Sequence, residues 1–107
     1  MTMDKGTLLA RRFGATGEVS IPGVGTVVVR GLSRAELMGI DHEAGVLVAE
    51  RQTLALAMVE PQLSEAEVEV WQGNSPADEI SPIMNEVNKL SGIGQHSHKE
   101  AYKSVRE

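Results

Sequence analysis

Alternation and helical periodicity divide this chain into distinct pieces. Residues 1–17 hold no sustained period. Leu8 to Phe13 has the spacing for one turn of helix, and the whole segment reads as a loosely ordered arm, because chain ends are mobile unless something ties them down. From Glu18 the pattern changes to alternation, with Val19 and Ile21 set against Glu18 and Ser20. Pro22-Gly23-Val24-Gly25 follows, and then Thr26-Val27-Val28-Val29-Arg30. Two β-branched runs about a Pro/Gly turn predict an antiparallel hairpin. A lone hairpin is marginal in water, so its apolar face requires helices to lie on.

Leu32-Ser33-Arg34-Ala35-Glu36-Leu37 predicts a helix start, with Ser33 as N-cap, Glu36 closing a capping box and Leu32 with Leu37 as a hydrophobic staple. This helix begins at Arg34 and runs through Leu37, Met38 and Ile40. Gly39, Gly45 and the polar Asp41-His42-Glu43 then weaken it, so that it either breaks near Asp41 or continues as a bent helix; each interior glycine costs roughly 1 kcal/mol relative to alanine. Ala44 to Glu60 reads as the longest helix, with Leu47, Glu50, Arg51, Leu54, Ala55 and Met58 at spacings of three and four and Pro61 ending it. Val46, Val48, Leu56, Ala57 and Val59 lie off that stripe, which places the helix at the centre of the fold or reserves a face for a partner.

Leu63-Ser64-Glu65-Ala66-Glu67-Val68 repeats the staple and capping box and predicts a helix ending near Trp71-Gln72-Gly73. Ser75-Pro76 and Ser81-Pro82 each offer an N-cap with proline at the first helical position. Pro82 to Leu90 is the better helix, with Ile83, Val87 and Leu90 inward and Gly92 as its left-handed terminator. Residues 94–107 comprise a polar linker containing His96 and His98, and then Lys99 to Arg106, a short helical candidate with only Ala101, Tyr102 and Val105 to bury. The organisation is therefore an arm over residues 1–17, a hairpin-plus-helical domain over 18–93, and a linker with a short C-terminal helix over 94–107.

Composition narrows the class. The chain has 107 residues, 41% hydrophobic, with one Trp, one Tyr, one Phe and five Met. A single core of aliphatic residues and methionine is what such a length supports. The absence of cysteine excludes disulfides, thiol nucleophiles and thiolate metal sites, and fits a reducing cytoplasm. No apolar run reaches the roughly 20 residues of a membrane span, and Met1 to Gly6 lacks the apolar stretch of a signal peptide. The net charge of −5 disfavours nucleic acid as a partner.

Candidate chemistry is sparse. His96-x-His98 with Glu100 is a possible metal set, but it falls in a polar linker with no further ligand cluster. Asp41-His42-Glu43 is better read as a solvated face, because adjacent helical residues point apart. Gly23-Val24-Gly25 lacks the third glycine and the following helix of a dinucleotide fingerprint, so it is a turn. Neither a Gly-x-Ser-x-Gly elbow nor a Walker-type lysine occurs, and no catalytic residue, metal or cofactor is assigned. Glu65, Glu67 and Glu69 suit the positive end of a helix dipole.

The order of segments carries a resemblance. Val19-x-Ile21-Pro22-Gly23-Val24-Gly25-Thr26-Val27-x-Val29-Arg30-Gly31-Leu32-Ser33-Arg34-Ala35-Glu36 is the first of them. Leu54-Ala55-Leu56-Ala57-Met58-Val59-Glu60-Pro61-x-Leu63-Ser64-x-Ala66-Glu67-Val68-x-x-Trp71 is the second. Ile83, Val87, Leu90-Ser91-Gly92-Ile93 and Lys99-Glu100-Ala101-Tyr102-Lys103-Ser104-Val105 complete the series. Together they resemble the tail assembly chaperones of long-tailed phages, above all those of actinobacterial phages and prophages, from Val19 to the end; the position of Val105 is often aromatic in that family.

The resemblance implies a non-enzymatic protein of the host cytoplasm that binds the tape measure protein, keeps it soluble and promotes assembly of the tail tube around it, and that is absent from the finished virion. It also implies contacts with the tail tube protein and with a longer, frameshifted form of the same chain. The alternative is a small structural tail or head-completion component retained in the particle. The expected fold is α+β, an N-terminal two-stranded hairpin packed on four to five mainly short helices. Leu47, Leu54, Met58, Met38 and Met84 are the candidate partner-binding residues, because a sticky helical partner calls for accessible aliphatic and methionine surface.

Overall fold

Pro22 and Gly23 set the geometry from which the sheet grows. Proline fixes the backbone for the first corner of a turn, Gly23 takes the second at φ +77°, and the Val24 N–H donates to the Ile21 carbonyl at 3.0 Å, the pattern of a type II turn. Strands β1 (Thr16–Ile21) and β2 (Gly25–Arg30) pair antiparallel through it, with Val19 opposite Val27. The computed structural model describes residues 4–11 and 13–93 of the chain. His96, His98, Glu100, the polar linker and the C-terminal helix expected over Lys99–Arg106 lie outside them.

β1 begins at Thr16, inside the segment expected to be a loose arm, and the Gly31 N–H continues the pairing by donating to the Ala15 carbonyl at 3.0 Å. Ahead of it, helix α1 (Lys5–Leu9) is started by Asp4, whose carboxylate accepts from the Thr7 N–H. This short helix overlaps the turn expected over Leu8–Phe13 only at Leu8 and Leu9 and is exposed along its length.

Both predicted capping boxes form. Helix α2 (Arg34–Met38) starts with Ser33 Oγ accepting from the Glu36 N–H at 3.1 Å while Glu36 Oε1 accepts from the Ser33 N–H at 2.9 Å. Helix α4 (Glu65–Asn74) repeats this between Ser64 and Glu67 at 3.2 and 2.9 Å. Of the two readings of the chain after α2, the break is the one that occurs. α2 ends at Met38, a short 3-10 turn spans His42–Ala44 under an Asp41 cap, and helix α3 (Val46–Ala57) starts afresh. Gly45 at the junction has φ +114° and ψ 164°, a conformation essentially confined to glycine.

The helix expected from Ala44 to Glu60 is shorter at both ends, and at its C-terminal end the chain changes structure. Met58–Glu60 form strand β3, antiparallel to β2, with Met58 opposite Val29 and Glu60 opposite Val28 across a register irregularity. Glu60 is barred from the helical region by the proline that follows, and Val59 is β-branched. The outer edge of β2 also offers backbone groups that need partners. The expected two-stranded hairpin is thus part of a three-stranded sheet, β1-β2-β3, within an α+β fold.

Helix α5 (Ser81–Leu90) differs from expectation only at its start. Ile80 holds the N-cap position without a side-chain hydrogen bond, and Ser81 is the first helical residue. Ser75-Pro76 starts no helix: Ser75 caps the end of α4, and the Glu79 N–H donates to the Pro76 carbonyl in a turn. Gly92 terminates α5 at φ +87°, and the Ile93 N–H returns to the Asn88 carbonyl at 2.8 Å.

The core lies between the sheet and the inner faces of α3, α4 and α5. Val29, Leu32, Leu54, Val68, Ile83 and Val87 are its largest fully buried side chains. Where α5 crosses the sheet its partners are glycines: Gly17 lies beneath Glu86 and Leu90, and a Cβ at Gly31 would overlap the Leu90 carbonyl. The adjoining Leu32 N–H donates to Ser91 Oγ at 2.8 Å, and the same hydroxyl donates to the Val87 carbonyl. The end of α5 is thereby tied to the end of β2.

Candidate partner-binding site

Two local rules shape a cleft on the helical side. Gly39 ends α2 directly after Met38, Gly45 precedes α3, and Met38 and the first residue of α3, Val46, both line the cleft. The Asp41 carboxylate holds the connection by accepting from the Glu43 and Ala44 N–H groups at 3.1 and 3.2 Å, while the Asp41 N–H donates to Gln52 Oε1 at 2.8 Å. That carboxylate is occupied as a cap, and the Asp41-His42-Glu43 run is exposed. α5 supplies the third wall.

The resulting cleft has a volume of about 460 Å³ and an apolar lining that includes Leu37, Met38, Val46, Met84 and Ile93. Val46 is 82% exposed and Met38 70%. Single exposed aliphatics are ordinary, but several around one concavity are the mark of a binding surface. At the floor, the buried Thr53 hydroxyl donates to the Ala49 carbonyl at 2.8 Å, so it presents no unmet polar demand.

The five sequence-selected residues are divided by the structure. Met38 and Met84 meet in this cleft, one exposed and one half-buried. Leu47 is exposed but does not line it, and its carbonyl accepts from Gln72 Nε2 at 3.0 Å on the side where α3 meets α4. Leu54 and Met58 are core residues at 0 and 3% exposure; Leu54 lines neither concavity, and Met58 shows only an edge, on the sheet side rather than in this cleft. Both were chosen from a helical stripe; the stripe faces inward at Leu54, and at Met58 the helix has already given way to β3.

A second, smaller concavity of about 350 Å³ lies at the sheet end, where Val24, Pro61, Leu63 and Trp71 surround the edge of Met58. Sequence reasoning missed it. Its signals were a valine at a turn tip, which is 72% exposed, and the only tryptophan of the chain. The Trp71 ring is held by its Nε1–H donating to Glu79 Oε2 at 2.8 Å.

Electrostatics here is structural. Arg30 and Glu36 form a two-pronged pair at 3.1 and 2.8 Å, joining the end of β2 to α2. The Arg30 hydrogen bonds draw the Glu36 carboxyl from its ordinary 4.5 down to about 2; partial burial opposes this and the Ser33 backbone N–H assists it. Arg51 pairs with Glu69 across α3 and α4 at 3.4 Å. Among the described residues no three histidine or acidic side chains gather as a metal site, and no helix is long and apolar enough to cross a membrane. No family model, curated protein or solved structure matches the chain.

Proposed function

We propose that this protein is a phage tail assembly chaperone, which binds the tape measure protein, keeps it soluble in the host cytoplasm and promotes tail tube assembly around it. The observation that supports this reading is the open apolar cleft of α2, α3 and α5, lined by two methionines on an otherwise acidic chain. Methionine side chains are flexible and polarisable, so they grip varied apolar helices without demanding one exact shape. Net negative charge keeps a complex with a sticky partner dispersed. The order of segments from Val19 onward, which resembles that family, points the same way.

Co-expression with the tape measure protein of the same phage tests the proposal: the partner's soluble fraction should rise and the two should co-purify. Absence of a complex in mild salt would reject it. Mass spectrometry of purified virions distinguishes it from a tail or head-completion component, because a chaperone is absent from finished particles and a structural component is present in them.

A further inference from the structure

We propose that the outer edge of β1 takes up an extended, cationic segment of another protein as a fourth strand of the sheet. The bond from the Gly31 N–H to the Ala15 carbonyl fixes the phase of the β1–β2 ladder. Alternation along the paired register then directs Gly17, Val19 and Ile21 toward β2 and leaves the N–H and carbonyl groups of Thr16, Glu18 and Ser20 facing outward. All three residues are exposed, and none of these backbone groups meets a partner among the described residues. Open edges are commonly closed by lysine, proline, a bulge or brevity. The opposite edge follows that rule, since β3 has three residues and Pro61 directly after them. β1 has six residues in unbroken register with β2 and holds neither lysine nor proline.

Charge identifies the occupant. Glu18 stands on the solvent face of the edge, while the Glu86 carboxylate lies over the neighbouring Gly17 on the face covered by α5. Neither has an ion-pair partner among the described residues. Arg30, the basic residue diagonal to Glu18 on β2, is held by Glu36 at both prongs. A strand pairing antiparallel with β1 sends successive side chains to opposite faces, so two adjacent basic residues, opposite Glu18 and Gly17, reach one carboxylate each. The residue opposite Val19 is apolar, because Val19 is half-buried against the core on the α5 face. β1 of a second copy would instead set these carboxylates near their own counterparts, and like charges across a ladder are destabilising. No β1 residue lines the α2–α3–α5 cleft, and the proposal for this edge does not rest on the proposed function.

The probe is a synthetic peptide, acetyl-Ser-Thr-Val-Lys-Arg-Thr-Ser-amide, titrated into the full-length ¹⁵N-labelled protein. At saturation, hydrogen exchange of the Thr16, Glu18 and Ser20 amides should slow by about tenfold or more. N-methylation of the peptide lysine, whose N–H faces Glu18, should abolish this protection, and N-methylation of its arginine, whose N–H points away from β1, should not. Glu18→Gln with Glu86→Gln should weaken binding by about fivefold at low salt. No protection by the unmodified peptide, equal effects of the two N-methylations, or unchanged affinity of the double variant overturns the proposal. So does protection of the three amides in the protein alone. If that protection grows with protein concentration, the edge belongs to a second copy; if it does not, the same chain already fills it. The assay contains no tape measure protein, so its failure leaves the co-purification result untouched, and the converse holds.

Discussion

Seating of α5 against the sheet can be tested at one glycine. Gly31 is buried, and a Cβ there would overlap the carbonyl of Leu90 and press on the Ser91 backbone nitrogen. Those atoms belong to the last turn of a helix and cannot rotate away as a side chain would. Gly31→Ala must therefore push the end of α5 outward, and forced overpacking of this kind costs about 1–3 kcal/mol. The same displacement strains the 2.8 Å bond from the Leu32 N–H to Ser91 Oγ, and a buried donor left unmet adds about 1–3 kcal/mol.

Partial relaxation keeps the total below the sum of the extremes, so the expected loss is about 2–4 kcal/mol in urea denaturation. Gly73→Ala is the control. It lies in α4 with nothing within 4 Å of a built Cβ, and should be neutral or stabilise by up to about 1 kcal/mol. A Gly31→Ala protein within about 0.5 kcal/mol of the parent would show that α5, and with it one wall of the cleft, is not held as described.

Other substitutions probe other levels of the fold. Leu54→Ala should cost about 2–5 kcal/mol in denaturant, while Leu47→Ala on the same helix should stay within about 0.5 kcal/mol. Gly45→Ala meets no steric obstacle but must adopt φ +114°, so a loss of about 1–3 kcal/mol is expected from backbone conformation alone and should appear as a lowered thermal midpoint. Glu36 has a folded pKa near 2 against an ordinary 4.5, so its stabilising effect is complete above the ordinary value and is lost as pH falls toward 2. The stability difference between the parent and Glu36→Gln should therefore be constant above about pH 5.5 and shrink steadily below it.

What the sequence disclosed was local. The Ser33–Glu36 and Ser64–Glu67 boxes and the Pro22-Gly23 turn are decided by residues within four positions of one another, and each forms as read. The fate of Met58-Val59-Glu60 depends instead on β2, about thirty residues earlier, whose free edge recruits them. An apolar run before a proline carries no sign of that pairing. The site was legible only in part for the same reason. Met38 and Met84 could be marked as candidates singly, but that they share a cleft follows from the packing that brings residues of α2, α3 and α5 around it. Leu54 looked equivalent to Leu47 by spacing, and only packing distinguishes buried from exposed.

The most direct measurement is co-purification of the tape measure protein with the parent chain and with a Met38→Glu, Val46→Glu double variant. Both side chains are exposed, at 70 and 82%, so the variant should keep the parent's unfolding free energy within about 0.5 kcal/mol. On the proposed function the parent should retain the partner in solution and the variant should lose it, because two carboxylates would stand in the apolar cleft. Equal recovery of the partner by both proteins would contradict the cleft as the binding site, and recovery by neither would contradict the function.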